Sequence, residues 1–141
     1  MNPFELLEQK ILGIEKEIQN KSIDIAFTEK DEIKEMQINQ IDNSLNASGK
    51  LIKPPYSKRY RVYKQNKGRT GNVDLREKGD FLNEVAVLQH NNEIHIVSFD
   101  EKSKYLVPKY DPFGLMEKNL DNLRSLVFPI LGTWVRKTIG L

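Results

Sequence analysis

The sequence predicts an α+β fold on three observations. These are a three-four repeat of apolar residues near the N-terminus, two β-branched runs around an asparagine-rich connection, and a second helical repeat toward the C-terminus. Phe4, Leu7, Ile11, Ile14 and Ile18 alternate spacings of three and four and draw one narrow stripe along a helix. Asn2 is placed to cap it, and Pro3 stands at the first helical position, where its missing N–H costs nothing. The stripe has the spacing of a coiled-coil seam but covers about two heptads, fewer than the three or four that mark a coiled coil by sequence. It is expected to pack on the protein's own core or on a neighbouring subunit.

A second helical stretch is expected from about Ser22 to Asn43, giving either one long N-terminal helix or a helix pair that restarts at Thr28, where Thr28 and Asp31 resemble a weak capping box. Ile33, Met36 and Ile41 share one broad face. Residues 43–49 (Asn-Ser-Leu-Asn-Ala-Ser-Gly) compete with helix or permit positive φ, so the helix should end there. Pro54-Pro55 excludes helix just before it, and the glycine-bearing 64–72 segment reads as a mobile loop. Gly79-Asp80-Phe81-Leu82 reads as a turn into the first strand, with Phe81 available to plug the core. Residues 84–89 and 93–99, joined by His90-Asn91-Asn92, form a hairpin of a small antiparallel sheet. Lys102 to Val107 fits a single helical turn or a third short strand, and Pro108 and Pro112 bracket an irregular link. From Leu115 the helical pattern returns, and Pro129 should kink or split it near Phe128 into C-terminal helices.

With 141 residues and 38% hydrophobic content, the chain reads as a single domain. Its parts are a helical arm (1–43), a basic extended or loop segment (44–80), a small sheet (81–107) and C-terminal helices (113–141). The absence of cysteine excludes a disulfide scaffold, a thiolate metal site and a cysteine nucleophile. No apolar run approaches the ~20 residues of a membrane span, and no signal peptide is readable. The formal charge of +2 conceals an uneven distribution: net −5 over residues 1–42, +8 over 43–73 and −1 over 74–141. In a chain where about one residue in seven is acidic, residues 43–73 hold no carboxylate at all.

No constellation recommends an enzyme, a metal or a cofactor. The two histidines flank the hairpin turn; with Asn91-Asn92 as the turn, His90 faces Glu93 and His95 faces Leu88, so they do not converge as ligands would. There is no Gly-x-Ser-x-Gly, and Lys67-Gly68-Arg69-Thr70-Gly71 lacks the Gly-Lys-Ser/Thr ending of a phosphate loop. The acidic residues assemble no two-metal nuclease site by spacing, and no motif supports a toxin–antitoxin or regulatory partner.

The carboxylate-free segment is the stronger candidate. Lys50, Lys53, Lys58, Arg59, Arg61, Lys64, Lys67 and Arg69 are interleaved with Tyr56, Tyr60 and Tyr63. Cations neutralise phosphates and tyrosines stack on bases, which describes a small DNA-binding protein of the non-specific, salt-sensitive kind. The tyrosine spacing of four and three equally describes a short helix with the rings inward and the cations on a solvated face. Both arrangements stay open on the sequence.

The run Ile38-Asn39-Gln40, then Gly49 through Ser57 with Pro54-Pro55-Tyr56, then Tyr60 and Lys64, then Val73-Asp74-Leu75 with Gly79-Asp80-Phe81, then Phe113-Gly114-Leu115, resembles small tailed-bacteriophage morphogenesis proteins, in particular those of phages infecting Bacteroidetes. The order of elements is also similar to the wider virion-morphogenesis, tail-completion and head–tail joining (neck) proteins. The likeness touches about residues 36–116, and its motif positions Tyr56, Lys64, Asp74, Leu75, Gly79 and Phe81 are structural. The helical segment from Glu117 to Leu141 departs from the wider pattern, which often ends in strands.

The resemblance implies a non-enzymatic structural protein of the virion, assembled in the host cytoplasm as a six- or twelve-fold ring around the DNA channel, with portal, neck or tail proteins as partners. Residues 50–69 would then face the channel or the acidic arm of an adjacent subunit. The Phe4–Ile18 stripe and the C-terminal apolar helix would make core and inter-subunit contacts.

Overall fold

The computed structural model describes residues 2–76 and 80–140, and it is α+β. In chain order the elements are α1 (Pro3–Thr28), α2 (Lys30–Asp42), α3 (Lys58–Asn66), α4 (Asp80–Asn83), β1 (Val85–His90), β2 (Glu93–Ser98), α5 (Ser103–Tyr110) and α6 (Glu117–Thr138). The start of α1 is locked by a reciprocal capping box. The Glu5 N–H donates to Asn2 Oδ1 at 2.9 Å, and the Asn2 N–H donates to Glu5 Oε2 at 3.2 Å, with Pro3 at the first turn.

The helix pair does restart next to Thr28, but no Thr28–Asp31 box forms. The Thr28 hydroxyl donates back to the Ile25 carbonyl at 2.6 Å, and Glu29 caps α2 without a side-chain bond. α2 ends where expected, with Ser44 in the left-handed region (φ 61°) and the Leu45 N–H returned to the Gln40 carbonyl.

The hairpin has the expected register, with His90 opposite Glu93 and Leu88 opposite His95. Asn91 (φ 51°) and Asn92 (φ 58°) form the two-residue turn that suits the twist of paired strands. The sheet is these two strands, so residues 81–84 and 99–107 contribute none of it. Phe81 sits in the one-turn helix α4, buried and stacked on Phe113 at 5.6 Å. Lys102 caps α5 and residues 103–107 are its opening turns, so this stretch is helix and not a third strand; α5 runs on through Pro108, and the irregular link is confined to residues 111–116. The left-handed Asp111 (φ 43°) then stops the helix.

The C-terminal segment corrects the sequence expectation, because α6 is one helix through Pro129. Leu123, Val127 and Leu131 form one stripe against Ile25 and Ala26 of α1 on both sides of the proline. A break there would pull half of that stripe out of contact, so tertiary burial outweighs the lost N–H.

Two apolar clusters hold the body together. The larger joins Ile41, Ile52, Val73, Leu75, Phe81, Leu82, Val85 and Tyr110; the smaller is the α1–α6 seam around Ile25 and Val127. Two buried glutamines of α2 tie the 112–116 link to the larger cluster. Gln37 donates to the Pro112 carbonyl and accepts from the Gly114 N–H, while Gln40 donates to the Gly114 carbonyl and accepts from the Met116 N–H. Each amide satisfies both its donor and its acceptor there, which lets it be buried at little cost.

Candidate functional site

The basic segment is built around α3. The Ser57 hydroxyl accepts from the Tyr60 N–H at 3.2 Å and starts the helix. Four-residue spacing then puts Tyr60 and Lys64 on one inward side of α3, and Tyr56, just before the cap, packs against them there. The rings of Tyr56 and Tyr60 meet edge to face at 4.8 Å, Tyr56 meets Tyr110 at 6.1 Å, and Tyr60 stacks on Tyr63 at 5.9 Å.

Lys64 corrects the sequence reading. It was expected on the channel-facing surface and at the head of a mobile loop; it lies in the last turn of α3 and is 2% exposed. Its ammonium pairs with the buried Asp74 carboxylate and sits 5.0 Å above the Tyr56 ring. Asp74 Oδ1 also accepts the Arg76 N–H at 3.1 Å, and the Leu75 N–H donates to the Tyr56 hydroxyl at 3.0 Å. Burial pushes the Tyr56 phenol above its usual range; the Leu75 N–H pulls part of the way back, and the Asp74 charge pushes further up. Leu75 itself holds a left-handed φ of 54°. The motif positions Tyr56, Lys64, Asp74 and Leu75 are thus one internal node that returns the chain to the core, with Phe81 nearby in the same cluster. Gly79 lies outside the described residues.

The remaining cations divide. Arg69 is half-buried and donates to the Arg76 carbonyl. Lys50, Lys53, Lys58, Arg59, Arg61 and Lys67 are exposed. Lys67 caps the face of Tyr63 at 4.4 Å, and Tyr63 is 42% exposed. Arg59 borders a shallow hollow with Ser57, Tyr60 and Tyr63, and Lys53 and Arg61 share a cleft with Pro55 and Gly71. Among the described residues these six make no ion pair. The helix expected of the tyrosines forms, but only in part as they were placed: Tyr56 precedes it, Tyr60 turns inward and Tyr63 stays exposed among the solvated cations.

The second unusual surface is the first half of α1. α6 runs antiparallel to α1: Val127 packs with Ile25 and Ala26, and Trp134, farther along, lies 5.9 Å from the Lys21 ammonium. α6 ends at Thr138 while α1 continues from Lys21 back to Pro3, so at 1.5 Å per residue the arm overshoots its cover by roughly 20 Å. Every residue from 2 to 17 is exposed, including Phe4 at 81%. Leu7, Ile11 and Ile14 share this bareness, and Leu6 and Leu12 add apolar area beside the stripe. The expected core role of the stripe is limited to Ile18, which is half-buried. The outer face of α6 carries more apolar surface, with Phe128 58% exposed and Ile130 and Ile139 alongside.

His95 Nε2 lies 3.3 Å from Glu93, and the two histidines stay apart. Among the described residues no three His, Cys, Asp or Glu side chains cluster to hold a metal ion, and no helix is long and apolar enough to cross a membrane. Comparison with protein-family models, curated proteins and solved structures finds no match. Sequence reasoning missed the inward turn of Lys64, although its four-residue step from Tyr60 carried the signal. It also missed how far the arm outruns α6, which no local pattern encodes.

Proposed function

We propose that this protein is a non-enzymatic structural subunit that assembles with copies of itself, as the head–tail joining and tail-completion proteins it resembles do around the DNA channel of a phage virion. The observation that carries this reading is the bare apolar stripe of the arm. A monomer holding Phe4, Leu7, Ile11 and Ile14 in water along a preformed helix leaves unburied the kind of area that interfaces bury. Size-exclusion chromatography with light scattering, plus negative-stain microscopy with and without portal and tail proteins, tests it. Concentration-dependent oligomers and rings are expected. A compact monomer at every concentration, with no ring beside those partners, overturns it.

The exposed cations of α3 and the 50–53 segment favour DNA as the second partner. Exposed on α3 and the segment before it, with no ion pair among the described residues, they suit weak backbone contact that lets DNA pass. The triple change Lys58→Ala, Arg59→Ala and Arg61→Ala should lower the slope of log affinity for duplex DNA against log salt by about 2 to 3. An unchanged slope removes DNA contact by this face. If salt-sensitive DNA binding persists in a strictly monomeric protein, the chain is instead a small non-specific DNA-binding protein.

A further inference from the structure

We infer that the arm pairs with the arm of a second copy, in parallel and in register, as a two-heptad coiled coil. This rests on the reading of the chain as a self-assembling subunit and names the contact. In heptad terms Phe4, Ile11 and Ile18 occupy a, and Leu7 and Ile14 occupy d. The same spacing continues to Lys21 and Ile25, where α6 lies on this side of α1 next to Trp134 and Val127. The bare stripe is therefore the continuation of a face built to carry a helix, exposed from the point where α6 stops.

The flanking charges select the occupant and its direction. Glu8 and Glu15 stand at e, and Lys10 and Glu17 at g. In a parallel pair the g residue of one helix meets the e residue five positions on in the other, so Lys10 meets Glu15 of the second copy twice by symmetry. An antiparallel pair has two overlapping registers: one sets Glu8 against Glu8 and Lys10 against Lys10, which repel, and the other sets Glu8 against Glu15, a repulsion that offsets its Lys10–Glu17 attraction. Only the parallel orientation gives the attraction with no repelling pair beside it.

Two heptads are short for a free peptide, because nucleating each helix is unfavourable. Here that cost is already met within each chain: the capping box closes one end and packing on α6 anchors the other. Gly13, the weakest helix former in the interior of the arm, has open space around it and lies off the seam at c. A parallel pair closes on itself with two-fold symmetry, so larger assemblies contain even numbers of this chain and use a second surface. The outer face of α6 around Phe128 and Ile130 is available for that.

Sedimentation equilibrium of the full chain tests the pairing with Lys10→Glu, Glu15→Lys and their equimolar mixture. Each single change sets two like-charge pairs in place of two attractive ones and should weaken the dimer about tenfold. The mixture restores both attractions in a heterodimer and should recover the wild-type constant. The chain has no cysteine, so Leu7→Cys supplies a second readout that leaves the charges alone. In register, the two introduced thiols meet and should form a covalent dimer on oxidation. Tighter association of Glu15→Lys, or no crosslink at position 7, overturns the parallel arrangement. A wild-type oligomer indifferent to all three changes overturns arm pairing while leaving self-assembly standing. A strict wild-type monomer overturns both.

Discussion

The first four turns of α1 and the short helix α3 place their residues in opposite ways. The arm holds phenylalanine, leucine and isoleucine in water, while α3 turns a lysine into the core. Neither placement follows from the residue's own preference; each follows from what the chain brings alongside. Lys64 is buried because residues 73–76 return past α3 with Asp74 as counter-ion, and because the Tyr56 ring faces its ammonium. The arm is bare because α6 ends before reaching it. A charge inside has its partner in the same chain, whereas apolar area outside needs a partner from elsewhere. Substitutions in the node should therefore act on stability, and substitutions in the arm on association.

The largest effect is expected at Lys64. Lys64→Ala strands the Asp74 carboxylate in a buried site and should cost about 3–5 kcal/mol in urea unfolding at neutral pH. The double change Lys64→Met with Asp74→Leu removes both charges and keeps most of the volume, so it should recover a large part of that loss. Those two results together would separate the burial of an unpaired charge from the packing of the lysine stem. A loss below about 1 kcal/mol in the single variant would erase the contrast with the arm, since it would mean that Lys64 behaves as a surface cation.

Tyr56 sharpens the same node through pH. Its phenol is held neutral by burial, so its folded pKa lies above the unfolded value of 10. Its contribution to stability is fully present below about pH 10 and is lost as pH rises through the raised folded value. Tyr56→Phe should cost about 1–2 kcal/mol at pH 7, because the Leu75 N–H loses its acceptor. The variant should also fall less steeply than the wild type above pH 10 in thermal melts. Parallel alkaline profiles for the two proteins would mean that Tyr56 does not carry the dependence.

Periodicity and turn chemistry made most of the fold legible. The Asn2-Pro3 start, the hairpin register and the end of α2 each rest on interactions within a few residues, which a sequence displays directly. Pro129 and Pro108 misled because each sits in a helix held by distant partners: α6 packs on Ile25 and Ala26, and Leu106, Val107 and Tyr110 of α5 pack in the larger cluster. The basic segment was legible as composition, and the tyrosine spacing allowed its helix. The four-residue step from Tyr60 pointed Lys64 inward, but its counter-ion Asp74 lies ten residues on, and pairing across a loop has no periodic signature. The overshoot of α1 past α6 is a difference between two helix lengths and their docking point, and neither strand of that comparison is local.

The smallest stability effect is expected in the arm, where the wild-type residues are the most apolar. Leu7→Gln and Ile11→Gln each replace a side chain already in water with one of high helix propensity, so monomer stability should shift by no more than about 0.5 kcal/mol. Measured at micromolar and at tenfold higher concentration, the melting temperature of the wild type should rise with concentration, since a partner that binds only the folded chain stabilises it by mass action. The same comparison in either glutamine variant should be flat. Its melt should coincide with that of the dilute wild type, which places the lost free energy in association alone. A substantial drop at low concentration would instead show that the stripe is covered within one chain, and the arm would then be a second core element like the node in α3.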